Sequence, residues 1–255
     1  SLADSSAGHK AYLESHIPGA AYAHLDEDLS GPVTQDSGRH PLPSVDGFAA
    51  FLGRIGWQPG TLMVVYDNAG GAIAARLWWL MKYFGHDGTG MLDGGIGAWQ
   101  TAAYPLESGP ASGNPGPLSG FHLREDLMVS TTPLVGKLDA DRIVLIDARD
   151  RARFVGEVEP IDRVAGHIPG SLNRPYSLNL TSDGGFKAAD EIREGFESLT
   201  RNQRSRDLVH MCGSGVTACQ NIFAAEFAGM KESKVYVGSW SEWIRDASRP
   251  ISPGV

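Results

Sequence analysis

His16-Ile17-Pro18-Gly19-Ala20 returns later in the chain as His167-Ile168-Pro169-Gly170-Ser171, 167 − 16 = 151 positions on. Further matches follow in the same order. Leu62-Met63-Val64-Val65-Tyr66-Asp67 reads against Asp207-Leu208-Val209-His210-Met211-Cys212, with 212 − 67 = 145. Gly97-Ala98-Trp99 reads against Ser241-Glu242-Trp243, and Pro105-Leu106 against Pro250-Ile251. Ordered matches with small drifts between them indicate a duplicated unit. Between the copies lies Ser108-Gly109-Pro110-Ala111-Ser112-Gly113-Asn114-Pro115-Gly116-Pro117, a linker composition. This divides the chain into residues 1–108, a linker at 109–125, and residues 126–255.

Within each copy the hydrophobic period alternates. Ile143-Val144-Leu145-Ile146-Asp147 is a short β-branched run, read as a buried strand. Residues 62–66, 208–211 and 235–237 read likewise, whereas 72–84 and 217–227 carry helix formers at helical spacing. Strand, turn and helix in series predict an α/β fold with mostly parallel sheets. The strand ending at Asp147 precedes His167 by 20 residues, but only 15 residues precede His16. The first copy is therefore expected to lack its opening strand, and a longer chain is expected upstream of Ser1.

Composition narrows the function classes. Lys plus Arg number 22 and Asp plus Glu 30, a net charge of −8, which argues against a nucleic-acid partner. No run approaches the length of a membrane-spanning helix, so no membrane partner is expected. Two cysteines make no disulfide framework and point to a reducing, cytoplasmic setting. No His/Cys cluster has zinc spacing, so neither metal nor other cofactor is expected.

Cys212-Gly213-Ser214-Gly215-Val216-Thr217-Ala218 ends a strand and opens a helix. Glycines let the backbone curl so that successive N–H groups face inward, and the helix start adds partial positive charge. Such a place suits a reactive thiol that carries an anion. A buried strand-end cysteine beside a glycine turn is the alternative. A cysteine phosphatase needs an arginine six positions after the cysteine, and that position is Ala218. Cys219 reads as a packed thiol inside the helix.

Taken together, the two HIPG elements, the single cysteine loop and Asp67 in the equivalent first-half position carry a resemblance. So do Asp147-Ala148-Arg149 and Gly238-Ser239-Trp240-Ser241-Glu242-Trp243. The chain resembles the tandem-domain sulfurtransferases of the rhodanese superfamily, over nearly its whole length. The loop Cys-Gly-Ser-Gly-Val-Thr is similar to that of 3-mercaptopyruvate sulfurtransferases. Thiosulfate-preferring members tend to carry basic residues where this chain has Gly213 and Ser214. Adjacent cations favour the thiosulfate dianion. A neutral loop with a more distant arginine clamp suits a donor with one carboxylate.

The resemblance implies two rhodanese-like domains, the first catalytically silent. It implies a Cys212 persulfide formed from a small-molecule donor and passed to a thiol, a thioredoxin-like protein or cyanide. Thiosulfate:cyanide sulfur transfer is the near alternative, and a non-catalytic sulfur carrier or binding module is the alternative of another class. Ser214, Asp26 and His40 are implied in proton relay. On the residues alone, Asp26 also reads as a solvated loop carboxylate and His40 as a surface histidine. Arg153 matches a substrate-carboxylate arginine, and Arg163 is the candidate for a second one in a segment of altered length. The amides of Gly213, Gly215, Val216 and Thr217 are expected to hold the sulfur anion. His16, His167 and Arg149 read as structural.

Overall fold

The computed structural model describes residues 5–110, 116, 118, 120–200 and 206–253. In chain order the first half contains α1 (Ser5–Glu14), α2 (Val45–Arg54), β1 (Met63–Val65), α3 (Ala74–Tyr83), β2 (Thr89–Met91) and α4 (Gly95–Thr101). The second half contains β3 (Met128–Val129), α5 (Thr131–Asp139), β4 (Ile143–Asp147), α6 (Arg151–Phe154) and β5 (Leu172–Asn173). There follow α7 (Ala189–Leu199), β6 (Asp207–Met211), α8 (Ala218–Phe227), β7 (Lys234–Tyr236) and α9 (Ser239–Trp243). All strand pairs are parallel. The second half forms a five-stranded sheet in the order β3-β7-β6-β4-β5, and the first a two-stranded sheet of β1 and β2.

The alternation along β4 explains the layering. Ile143 and Leu145 enter one core with Leu134, Trp240 and Trp243. Val144 and Ile146 enter the opposite core with Ile192, Phe196 and Ala224. A strand buried on both faces reads as a continuous apolar run, as Ile-Val-Leu-Ile does. A third core is shared by the halves: Trp79, Leu80 and Met81 of α3 join Ala218, Cys219 and Ile222 of α8. Trp78 meets Phe223 edge to face at 5.1 Å across that contact.

The duplication holds at the level of individual bonds. His16 and Glu107 exchange backbone hydrogen bonds, as do His167 and Ser252. Each histidine stacks on an aromatic, Tyr12 at 4.0 Å and Phe154 at 3.9 Å, and contacts that residue's carbonyl through Nδ1. Trp99 donates its indole N–H to Pro105, and Trp243 to Pro250. The HIPG histidines are therefore structural in both halves.

Among the described residues, the first half has no counterpart of β3, β4 or β5. Val64 of β1 is consequently 57% exposed, whereas the equivalent Val209 of β6 is fully covered. Helix α3 also starts two residues later than the 72–84 reading, because Ile73 and Ala74 give their amides to the Asp67 carboxylate. Much of the expected 109–125 linker (111–115, 117 and 119) lies outside the described residues. Its later part runs against the end of α3, with His122 and Arg124 donating to the carbonyls of Phe84 and Tyr83.

Candidate active site

Cys212 follows β6 directly, and its backbone is fastened from behind. Its N–H donates to the Ser239 hydroxyl at 3.1 Å, and its carbonyl accepts from Trp240 N–H. The Gly213 carbonyl accepts from Ser241 N–H. Ser239 adopts φ +51°, a conformation uncommon outside glycine, which aims its hydroxyl between Tyr236 O and Cys212 N–H. With those loop carbonyls bound to α9, the amides turn to the sulfur. Gly215 N–H donates to Cys212 Sγ at 3.1 Å and Ser214 N–H at 3.5 Å. The amides of Gly213, Val216 and Thr217 have no acceptor among the described residues. Gly215 makes the curl possible. It has φ +78°, and a Cβ there would stand 2.5 Å from the Val237 carbonyl oxygen.

Ser214 is nearly buried, and its Oγ lies 2.7 Å from His40 Nδ1. His40 Nε2 lies 3.1 Å from Asp26 Oδ1. An ionised carboxylate only accepts, so Nε2 carries the proton and Nδ1 accepts from the Ser214 hydroxyl. Burial, reinforced by the Arg76 charge and opposed by Asp26, lowers the His40 pKa to about 4. The imidazole is thus neutral near pH 7 and can pass a proton from one nitrogen to the other. The chain of groups runs outward, ending on the Asp26 side chain at 48% exposure.

The mouth of the loop is lined by arginines. Arg153 pairs with Glu159 at 2.7 Å and with Asp162 at 3.1 Å. Asp162 also pairs with Arg39, so one carboxylate lies between two guanidiniums. Burial raises the Asp162 pKa, Arg39 opposes that rise, and Glu159 adds to it. Both arginines lie over Gly213. A Cβ there would stand 2.9 Å from Arg39 Nη2 and 3.6 Å from the Arg153 nitrogens. Arg39 is held in place by its backbone N–H on Ser241 Oγ at 3.0 Å.

The structure therefore brings Cys212, Ser214, His40, Asp26 and Arg153 together. It does not bring Arg163, whose guanidinium donates to the carbonyls of Ile244 and Arg245. Arg39 is the second guanidinium on Asp162. It comes from the first half of the chain, 123 positions before Asp162, so no local motif could reveal it. Its one signal was its place immediately before His40. Arg149 binds Asp147 and the Gly166 carbonyl, a structural tie.

In the first-half loop the position equivalent to Cys212 is held by a carboxylate. Both Asp67 carboxylate oxygens accept backbone N–H groups, Oδ1 from Ala69 and Gly71 and Oδ2 from Ile73 and Ala74. The loop's anion cradle is filled by its own side chain. Among the described residues, no group of three or more His, Cys, Asp or Glu could hold a metal. Likewise, no helix of the described residues is long and apolar enough to cross a membrane.

Residues 4–102 and 130–246 each match the family model of the Rhodanese-like domain. A Pseudomonas aeruginosa protein described as "Probable 3-mercaptopyruvate sulfurtransferase" is 44% identical over 99% of this chain and 89% of its own length. Thiosulfate sulfurtransferase of Bos taurus is 34% identical over 93% of this chain and 80% of its own. Among solved structures, 3-mercaptopyruvate sulfurtransferase from Leishmania major superposes with a TM-score of 0.81 at 31% identity. That match covers 95% of this chain and 67% of the other.

Proposed function

Because the chain belongs to the rhodanese family and is a sulfurtransferase with two rhodanese domains, we propose that its donor is 3-mercaptopyruvate and its sulfur carrier Cys212. The Cys212 thiolate attacks the donor sulfur, and the C–S bond breaks. The electron pair leaves as the pyruvate enolate, while the sulfur and its hydrogen stay on Cys212 as a persulfide. The enolate carbon takes a proton from the Ser214 hydroxyl. His40 and Asp26 restore that proton from the solvent side. An acceptor thiolate, from a small thiol or a thioredoxin-like protein, or cyanide then attacks the outer sulfur and releases the Cys212 thiolate. The amides that donate to Cys212 Sγ hold negative charge in both steps, as an oxyanion hole does.

One observation carries this reading: inward amides on a single sulfur, beside a serine whose histidine and aspartate lead to solvent. The choice of donor rests on the neutral loop and on the arginines standing one step back from it. Arg153 and Arg39 clamp the donor carboxylate, which takes the place of Asp162 between them. Intact-mass analysis after incubation with 3-mercaptopyruvate should show a one-sulfur increase that maps to Cys212, and none in Cys212→Ser. The kcat/KM for 3-mercaptopyruvate should exceed that for thiosulfate. The opposite preference replaces the donor, and absence of any loading removes the enzyme reading.

The clamp has its own test. Arg39→Ala should raise KM for 3-mercaptopyruvate about tenfold with kcat changed far less, the pattern of lost uniform binding. Arg163→Ala should leave both constants near their starting values. The reverse pattern would return Arg163 to the site.

A further inference from the structure

We infer that Arg76, carried on α3 of the half without a cysteine, is a positioning residue for sulfur transfer at Cys212. Its guanidinium fastens the His40 segment to the Cys212 loop. This rests on the reading of Cys212 as the sulfur carrier.

Arg76 is fully buried, at 0% exposure. Its fork reaches four carbonyls: Leu29 from Nε at 3.3 Å, Gly215 from Nη1 at 3.2 Å, and His40 and Pro41 from Nη2 at 3.1 and 3.3 Å. One planar group thus ties both walls of the Ser214–His40 contact. Among the described residues it forms no salt bridge. A buried guanidinium is costly unless its donors are satisfied, and here four carbonyls satisfy them.

The groups around it leave the carbonyls as its anchors. Burial lowers the Arg76 pKa, and Cys219, which also hydrogen-bonds it, opposes that lowering ahead of Cys212. Cys219 is buried in α8, and burial pushes its thiol up to about 12, so it stays protonated and contacts the Gly215 carbonyl at 3.4 Å. Among the described residues the nearby carboxylates Asp162 and Glu159 pair with Arg39 and Arg153 instead.

The duplication supplies an internal control. Gly215 and Gly70 are equivalent, 145 positions apart like Cys212 and Asp67. Arg76 reaches from α3 to the Gly215 carbonyl, and Gln220 reaches from α8 to the Gly70 carbonyl at 3.2 Å. Each helix thus crosses to the other half's loop at the same point. The loop that already holds its own carboxylate receives a neutral amide. The loop that ends in sulfur receives the cation.

The test compares wild type, Arg76→Gln and Arg76→Lys. It measures kcat and KM for 3-mercaptopyruvate together with Tm. Arg76→Gln should lower kcat about tenfold or more, with KM within a factor of about three. Arg76→Lys keeps the charge but cannot span four carbonyls, so its kcat should fall likewise. A folded Arg76→Gln with wild-type kcat overturns the inference. If Arg76→Gln does not fold, an Arg76→Lys enzyme with wild-type kcat overturns it. Wild type that takes no sulfur onto Cys212 defeats the premise instead, and intact mass of wild type alone distinguishes that failure.

Discussion

Cys212 and Asp67 occupy equivalent loops, and the two side chains take different numbers of the loop amides. The Cys212 sulfur takes two amides, while others have no acceptor among the described residues. A carboxylate has two oxygens on a planar fork and takes four amides at 2.8–2.9 Å. Charge-assisted bonds of this kind stabilise more than neutral ones. Asp67→Asn turns one acceptor into a donor among donors. It should cost about 2 kcal/mol in urea denaturation. Sulfur loading of the remaining folded protein should be unchanged, because Asp67 lies outside the Cys212 loop.

The elements show what a missing neighbour does to a strand. Val209 lies in β6, between β7 and β4, and is fully covered. Val64 lies in β1, which pairs only with β2 among the described residues. The same residue type at equivalent positions therefore has different weight. Val209→Ala should destabilise by about 2 kcal/mol, as removal of fully packed methyl groups does. Val64→Ala should change stability by less than about 0.5 kcal/mol. Similar losses at both sites, measured by chemical denaturation, would mean that another surface covers β1 in solution. The short α9 carries unusual responsibility for its length, since its first residues bind the loop carbonyls and seat Arg39.

At the scale of the whole molecule, the site belongs to neither half. The sulfur and Arg153 come from the second, and His40, Asp26, Arg39 and Arg76 from the first. Stability should also carry a pH signature. Burial lowers the pKa of His40 to about 4, helped by Arg76, and that of His210 to about 3. Unfolded, both titrate near 6.5. The unfolded chain therefore takes up protons first as pH falls. Stability from the neutral imidazoles is complete above about pH 6.5 and is lost progressively towards pH 4 and below. The Tm should decline over that window. Among the described residues neither ring nitrogen of His210 has a hydrogen-bond partner, so His210→Leu should flatten the decline without lowering the Tm at pH 7. An unchanged slope would assign the acid sensitivity elsewhere.

What the sequence by itself determined is whatever local order encodes. The HIPG turns, the Ile143–Asp147 strand and the glycines after Cys212 declare their conformations through spacing, β-branching and backbone freedom. From these followed the duplication, the α/β class and the loop holding the candidate thiol. Helix α3 starts two residues later than the periodicity predicts, where the Asp67 carboxylate takes the amides of Ile73 and Ala74. Only the tertiary structure set Arg39 beside Arg153 on Asp162 and turned Arg163 to the carbonyls of Ile244 and Arg245. It alone revealed Arg76, whose partners lie 35 to 139 positions away. An arginine looks the same in sequence whether it rests on the surface or is buried among carbonyls. Its role is set by which distant carbonyls, carboxylates and anions the folded chain places within reach.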